Sequence, residues 1–374
     1  MTDRIKQEIE QCRLSKATCL DLSNINVCEA IDLSAIADLT HLTTLYLSNT
    51  EISNFQLLSH FINLTELDLG NNVYDDLIPL SSLVNLTHLD LGNNMSDLTP
   101  LSNLVNLKNL TFSGNYLIDF TPLSSLANLR NLTIRTGQIN DLTPLSSLVH
   151  LRELCIFSDK VSDLSPLSFL TNLIELYVEE AKIADITSLS SLTRLQVLGI
   201  SNNQIRDLTP IASLVNLKHI HLEHNQISDI SPLLPLIKKG VPINLEKSCE
   251  WNSINLYDNL LEPSMNALIR RGNQAVINYY EAVERKKALL NNAENFIGNG
   301  KLDKAIKLLK LYLKEEGDKE QLLKIILLSQ QFNKVKEQFD YGVVDVSYQG
   351  KEYARITGAL LQLIWEVEKL PSSV

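Results

Sequence analysis

Apolar residues return along the first two thirds of the chain with a fixed beat. Leu42, Leu64, Leu86, Leu107, Leu129, Leu151, Leu173, Leu195 and Leu217 are spaced 22 residues apart, with one step of 21. Each opens a phrase of the form L-x-x-L-x-L, so every unit predicts one short strand with period-two alternation. In the unit from Leu64 to Asn85, Leu67 and Leu69 point inward while Glu66, Asp68 and Gly70 point the other way. The return halves are near copies: DLTPLSNL at 97–104, DFTPLSSL at 119–126, DLTPLSSL at 141–148 and DLSPLSFL at 163–170. Proline in these segments fixes φ and lacks an N–H, which excludes long helices and predicts short 3-10 or single-turn pieces.

A period of this length with the phrase L-x-x-L-x-L-x-x-N resembles the leucine-rich repeat, here in the short 22-residue form of bacterial, cyanobacterial-type proteins. The resemblance implies an α/β leucine-rich repeat solenoid, with a parallel sheet on the concave face and short 3-10 or irregular convex segments. Asn72, Asn94, Asn115, Asn203 and Asn225 fall in the slot where an inward amide satisfies backbone groups as the chain leaves the strand. Thr50, Gly137, Asp159 and Ala181 hold that slot elsewhere, so looser or bent middle repeats are expected. Strand phrases running from Cys19–Leu22 to Ile254–Leu256 predict ten or eleven strands. No single unit can bury its own apolar face, so the stack needs caps. Residues 1–19 supply the first, with Ile5, Ile9 and Cys12 on one face of a helix beginning near Thr2 or Asp3. A longer terminal repeat at 236–262 closes the array, and the solenoid is assigned to 1–262.

Beyond Pro263 the periodicity becomes helical, which predicts an all-α C-terminal domain. Residues 263–288 form a junction in which Ile269 to Tyr280 resembles the segment that follows the repeats in many bacterial chains, Roco-type proteins included. A Roco GTPase would place a P-loop next. Gly298-Asn299-Gly300-Lys301 lacks its upstream Gly and its Ser/Thr after Lys, and reads as a turn between helices. In 289–374, three stripes mark core faces: Leu302, Ala305, Ile306, Leu309 and Leu313; Leu322, Ile325, Ile326 and Phe332; Tyr353, Ile356, Leu360, Ile364 and Val367. With ILLSQQFNKVKEQ at 326–338 and YARITGALLQLI at 353–364, this region resembles an effector-associated adaptor domain of bacterial conflict systems. The resemblance implies a non-enzymatic domain that pairs with a matching domain on an effector.

Charge and reactive residues narrow the alternatives. Residues 1–263 hold 16 Lys+Arg against 30 Asp+Glu and 264–374 hold 17 against 14, giving −14 and +3 and the net of −11. An acidic solenoid predicts a protein ligand rather than nucleic acid. The N-terminal stretch lacks an apolar signal core and no run of 18 apolar residues occurs, so no membrane association is expected. The five cysteines, Cys12, Cys19, Cys28, Cys155 and Cys249, are scattered without CxxC spacing, which points to the cytoplasm. Residues 264–374 contain neither His nor Cys, which excludes a Cys-His dyad or a ubiquitin-ligase cysteine there.

The chemistry-bearing candidates lie on the concave face. Alternation places Asp21, Tyr46, Asp68, Asp90, Thr111, Thr133, Cys155, Tyr177, Gly199 and His221 in one row and Arg135, Phe157, Glu179, Ser201 and Glu223 in the next. Aromatic side chains beside charges compose an interface. The expected partner-binding residues are therefore Tyr46, Asp68, Asp90, Arg135, Phe157, Tyr177, Glu179, His219, His221 and Glu223, with Phe157 and Tyr177 exposed. His219, His221 and Glu223 could also converge on a metal, but Val197, Gly199 and Ser201 beside them are not ligands, so no metal, cofactor or catalytic residue is assigned. The leading expectation is a non-catalytic sensor or adaptor, in bacterial defence or signalling, which captures a protein on the solenoid and recruits an effector through its helical domain. The alternative is a stand-alone repeat regulator that inhibits an enzyme, with the helical domain as cap or dimeriser; a metal-dependent hydrolase is a third reading.

Overall fold

The computed structural model describes residues 3–24, 31–72, 76–92, 96–114, 116–246, 251–341 and 345–370. Thr2, Cys28, Asn94, Asn115 and Cys249 lie outside these residues. The chain divides into two compact units, Met1–Asn273 and Gln274–Val374.

In the first unit, helix α1 (Asp3–Ser15) buries Ile5, Ile9 and Cys12 as the cap. The strands follow as β1 (Cys19–Asp21), β2 (Ile31–Asp32), β3 (Thr44–Tyr46), β4 (Ile52–Ser53), β5 (Glu66–Leu69), β6 (His88–Leu91) and β7 (Asn109–Ser113). They continue as β8 (Asn131–Arg135), β9 (Glu153–Phe157), β10 (Glu175–Glu179), β11 (Val197–Gly199), β12 (His219–His221), β13 (Ile243–Asn244) and β14 (Ile254–Asn255). Among the described residues the main sheet has 12 strands rather than ten or eleven, in the order β1-β3-β5-β6-β7-β8-β9-β10-β11-β12-β14-β13. The extra strand arises because the terminal unit contributes both of its strand pieces, with the later one, β14, inserted beside β12. β2 and β4 form a separate parallel pair.

The convex segments are short 3-10 turns, such as Thr121–Ser125 and Ser165–Phe169, as proline requires. An aspartate starts most of them. Asp97, Asp119, Asp141, Asp163, Asp185, Asp207 and Asp229 each accept the backbone N–H two residues on, at 2.7–2.8 Å. These are Asx turns, which is why the phrase D-x-T/S-P recurs.

The inward amides act as expected. Asn203 Nδ2 donates to the carbonyls of Val178 at 2.9 Å and Ile200 at 3.1 Å, while its Oδ1 accepts from Ile183 N at 3.0 Å. Asn72 and Asn225 repeat the pattern, and Asn259 extends it into the closing unit. Where the amide is missing in the middle of the array the structure differs from expectation: strands β8 to β10 are long, at five residues each, not looser. After β8 and β9 a buried hydroxyl sits one position earlier, at Thr136 and Ser158, and Ser158 Oγ donates to Ile139 O at 2.9 Å. A second, outer amide ladder runs along the other edge of the strands. Asn63, Asn85, Asn106, Asn128, Asn172 and Asn216 each donate to a carbonyl of the preceding repeat at 2.8–3.0 Å.

The closing unit ends in helices α2 (Leu234–Lys238) and α3 (Pro263–Arg270). Gly272, at φ +93°, turns the chain in a conformation that favours glycine. Asn273 then reaches back to accept from Ile243 N at 3.3 Å and donate to Val241 O at 2.8 Å. The Gly-Asn of the junction phrase is thus a structural lock.

The second unit holds helices α4 (Asn273–Gly298), α5 (Leu302–Glu316), α6 (Lys319–Asp340) and α7 (Val346–Lys369). α4 runs through residue 289 without a break. Its Leu290, Ala293 and Ile297 join Leu309, Ile325, Phe332, Ile356, Leu360 and Ile364 in one core. Gly300, at φ +68°, lies in the turn between α4 and α5, where a P-loop had been excluded. Gly317 ends α5 in a left-handed conformation, and Asp318 caps α6 by accepting from Gln321 N at 3.0 Å. The buried Lys286 ammonium donates to the carbonyls of Glu368 and Leu370, satisfying the last turn of α7. No described helix is long and apolar enough to cross a membrane.

Candidate binding face

Parallel pairing in register brings the first concave row together as the sequence implies. Asp21, Tyr46, Asp68, Asp90, Thr111, Thr133, Cys155, Tyr177, Gly199 and His221 are successive strand partners. Arg135, Phe157 and Glu179 are partners in the second row.

The row has distinct chemical zones. At the N-terminal end, Tyr46, Asp68 and Asp90 are half-buried, and the carboxylate of Glu66 facing Tyr46 raises its phenol to about 12. Burial, with the charge of Asp68 beside it, pushes the Asp90 carboxyl up to about 6. An unfolded aspartate titrates near about 3.9. Between those values the folded state holds a proton that the unfolded chain has released, so stability falls as pH rises from about 4 to 6 and stays lowered above. Asp90→Asn should therefore stabilise at pH 7.5, by up to about 1 kcal/mol for a partly solvated group, and bring little gain near pH 4. Thermal unfolding of parent and variant across that range measures this. An equal gain at both ends would refute the charge account.

In the middle, the guanidinium of exposed Arg135 lies 5.4 Å from the Phe157 ring centre. Phe157 and Tyr177 are half-buried, not fully exposed as expected. Tyr177 reaches over the next repeat: a Cβ on Gly199 would collide with its ring, so glycine makes room for the tyrosine. Glu179 is half-buried beside it, its carboxyl raised by burial.

At the C-terminal end the structure departs further from the expected open face. His219 and Glu223 are buried, and His221 is half-buried. His219 Nε2 lies 2.8 Å from His221 Nε2, and His221 Nδ1 lies 3.1 Å from Glu223 Oε1. Asn255 Nδ2 donates to the same Glu223 oxygen at 2.7 Å, and the Trp251 ring stacks on His219 at 4.9 Å. Glu223 raises the affinity of His221 for a proton, while burial, then the charge of His221, lowers that of His219. The terminal unit has covered the cluster. Alternation within one repeat could not reveal that lid, although Trp251, one of two tryptophans, was a visible signal. Among the described residues no group of three or more His, Cys, Asp or Glu side chains is placed to hold a metal ion.

Comparison with known proteins finds a matching family model in each unit. The family model described as leucine-rich repeats (two copies) matches residues 40–82 and 193–235, and that of effector-associated domain 11 matches 288–368. An internalin, InlF, of Listeria monocytogenes is 26% identical with a TM-score of 0.56, over 70% of this chain and 84% of that one. The Arabidopsis receptor kinase HAESA, solved with the peptide hormone IDA and the co-receptor SERK1, is 16% identical with a TM-score of 0.51. That likeness covers 70% of this chain and 50% of the receptor, and is one of fold alone. No curated relative matches the chain.

Proposed function

We propose that this chain, a leucine-rich repeat solenoid followed by a helical unit that matches effector-associated domain 11, is a non-catalytic sensor and adaptor of the cytoplasm, acting in bacterial defence or signalling. The solenoid captures a protein on its concave face, and the helical unit recruits an effector that carries a matching domain. The joining of these two unit types in one chain is the observation that carries this reading.

Capture is assigned to the zone around Arg135, Phe157, Tyr177 and Glu179, where aromatic surface and both charges meet. Tyr46, Asp68 and Asp90 form its acidic flank, while the covered His219, His221 and Glu223 support its far border. Recruitment is assigned to the outer helix faces of the second unit. Leu323 and Leu327 stand exposed one turn apart on α6, and Trp365 on α7 lies under the Lys369 ammonium at 3.3 Å. Lys304, Lys307 and Lys310 on α5, with Glu315 and Glu320 beyond, supply rim charge for such pairing.

The test is the full chain as bait in its host, followed by mass spectrometry of what is retained. Phe157→Ala with Tyr177→Ala should reduce retention of the solenoid ligand at least tenfold while leaving the effector bound. Leu323→Glu with Leu327→Glu should do the reverse. If both pairs of changes release the same single enzyme, and that enzyme is inhibited by the chain, the regulator reading replaces this one.

A further inference from the structure

A second surface of the solenoid has a charge pattern unlike the rest. No Lys or Arg occurs between Lys16 and Lys108, and residues 1–263 carry −14 overall. Against that background a groove of about 420 Å³ on the strand-entry edge is lined by Lys108, Arg130, Arg152, Arg194 and His150, together with amides of the outer ladder.

The groove is built by the repeat itself. Arg130 N donates to Lys108 O and Arg152 N to Arg130 O, both at 2.7 Å, so three cationic residues occupy one position in adjacent repeats. Their backbones are therefore about 4.8 Å apart. The outer ladder departs from asparagine at three of its slots, His41 in the first of these repeats and, within the groove, His150 and Arg194. The Arg194 guanidinium donates to Asn172 Oδ1 at 2.8 Å, which lays it over the ladder. Among the described residues, Lys108, Arg130, Arg152 and Arg194 enter no ion pair. The nearby Glu153 carboxylate is engaged by Asn131 Nδ2 at 2.5 Å. Like charges stacked on neighbouring strands oppose folding, so this column weakens the free protein and would be relieved by a bound polyanion.

We propose that this edge is a second docking surface, which takes an extended polypeptide segment rich in aspartate and glutamate. Each exposed cation contributes little on its own, so a lone small anion would be held poorly and a chain of carboxylates far better. Arginine forks match carboxylates in pairs. Nucleic acid fits less well, because the groove lining has no Phe, Tyr or Trp ring on which bases could stack. The proposal does not depend on which concave residues capture a ligand.

The experiment uses the full chain and two fluorescein-labelled probes, a deca-glutamate peptide and a deca-thymidylate, with binding followed by anisotropy in about 50 mM and about 300 mM salt. Deca-glutamate should bind at low salt and be released at high salt. Arg130→Glu with Arg152→Glu should weaken it at least tenfold, and Arg130→Lys with Arg152→Lys less than that. Lys182→Glu with Arg206→Glu, exposed cations elsewhere on the solenoid, should leave binding unchanged, as should Phe157→Ala with Tyr177→Ala. The exposed groove positions leave no cavity, so unfolding midpoints of the variants confirm that each is folded. Absence of peptide binding, binding indifferent to the groove reversal, or deca-thymidylate bound as tightly through the same residues would each overturn the proposal.

Discussion

Leu154→Ala is expected to destabilise the solenoid by about 2–5 kcal/mol. Leu154, the second residue of β9, has no exposed surface, and its strand partners Leu132 and Leu176 are also enclosed. Removing the isobutyl group leaves a void that stacked repeats cannot close without shifting their shared hydrogen-bond register. In a one-dimensional array the loss falls on the interfaces to the two neighbours, so the chain on either side becomes less tightly coupled. Denaturant unfolding of parent and variant measures the difference, and a loss below about 0.5 kcal/mol would mean that the inward register is misassigned.

Asn203→Ala is expected to cost about 2–4 kcal/mol, because it strands several buried backbone groups at once. The carbonyls of Val178, Ile200 and Ser201 lose a donor, and Ile183 N loses its acceptor. Asn203→Asp should be nearly as harmful, since a carboxylate accepts but cannot donate. Ser158→Ala removes a single donor to Ile139 O and should cost about 1 kcal/mol. Equal losses at Asn203 and Ser158 would show that the amide ladder is not the stronger turn device.

Most of the solenoid was legible because its determinants are local and repeated. Leu67 and Leu69 point inward by simple alternation, and Pro122 or Pro144 limits the convex turn whatever lies around it. What stayed hidden depends on neighbours distant in sequence. Asn259 continues a ladder whose previous member, Asn225, is 34 residues away rather than 22. β14 precedes β13 in the sheet although it follows it in the chain. Thr136 and Ser158 replace an amide from a position one residue earlier, which a search of fixed slots passes over. At the binding face, the rows of strand partners could be read from the period, but the burial of His219 and Glu223 could not, because Trp251 and Asn255 come from the irregular closing unit. The groove of Lys108, Arg130 and Arg152 is not encoded in the alternation, which distinguishes the two faces of the sheet and carries nothing about its edges. In the helical unit the apolar stripes marked most of the core, with Ile326 outside it and Leu322 and Tyr353 at its margin, whereas the continuity of α4 could not be told from stripes alone.

The way the sheet ends has a consequence for assembly. Stacked parallel strands offer their last member as a template onto which another chain can add, and growth of that kind leads to filaments. Here the terminal strand, β13, is only two residues long, and its Ile243 N–H is taken by the side chain of Asn273. The opposite terminus carries the amphipathic α1. Strand-by-strand polymerisation is thereby discouraged at both ends, so copies of this chain at high local concentration keep their sheets separate.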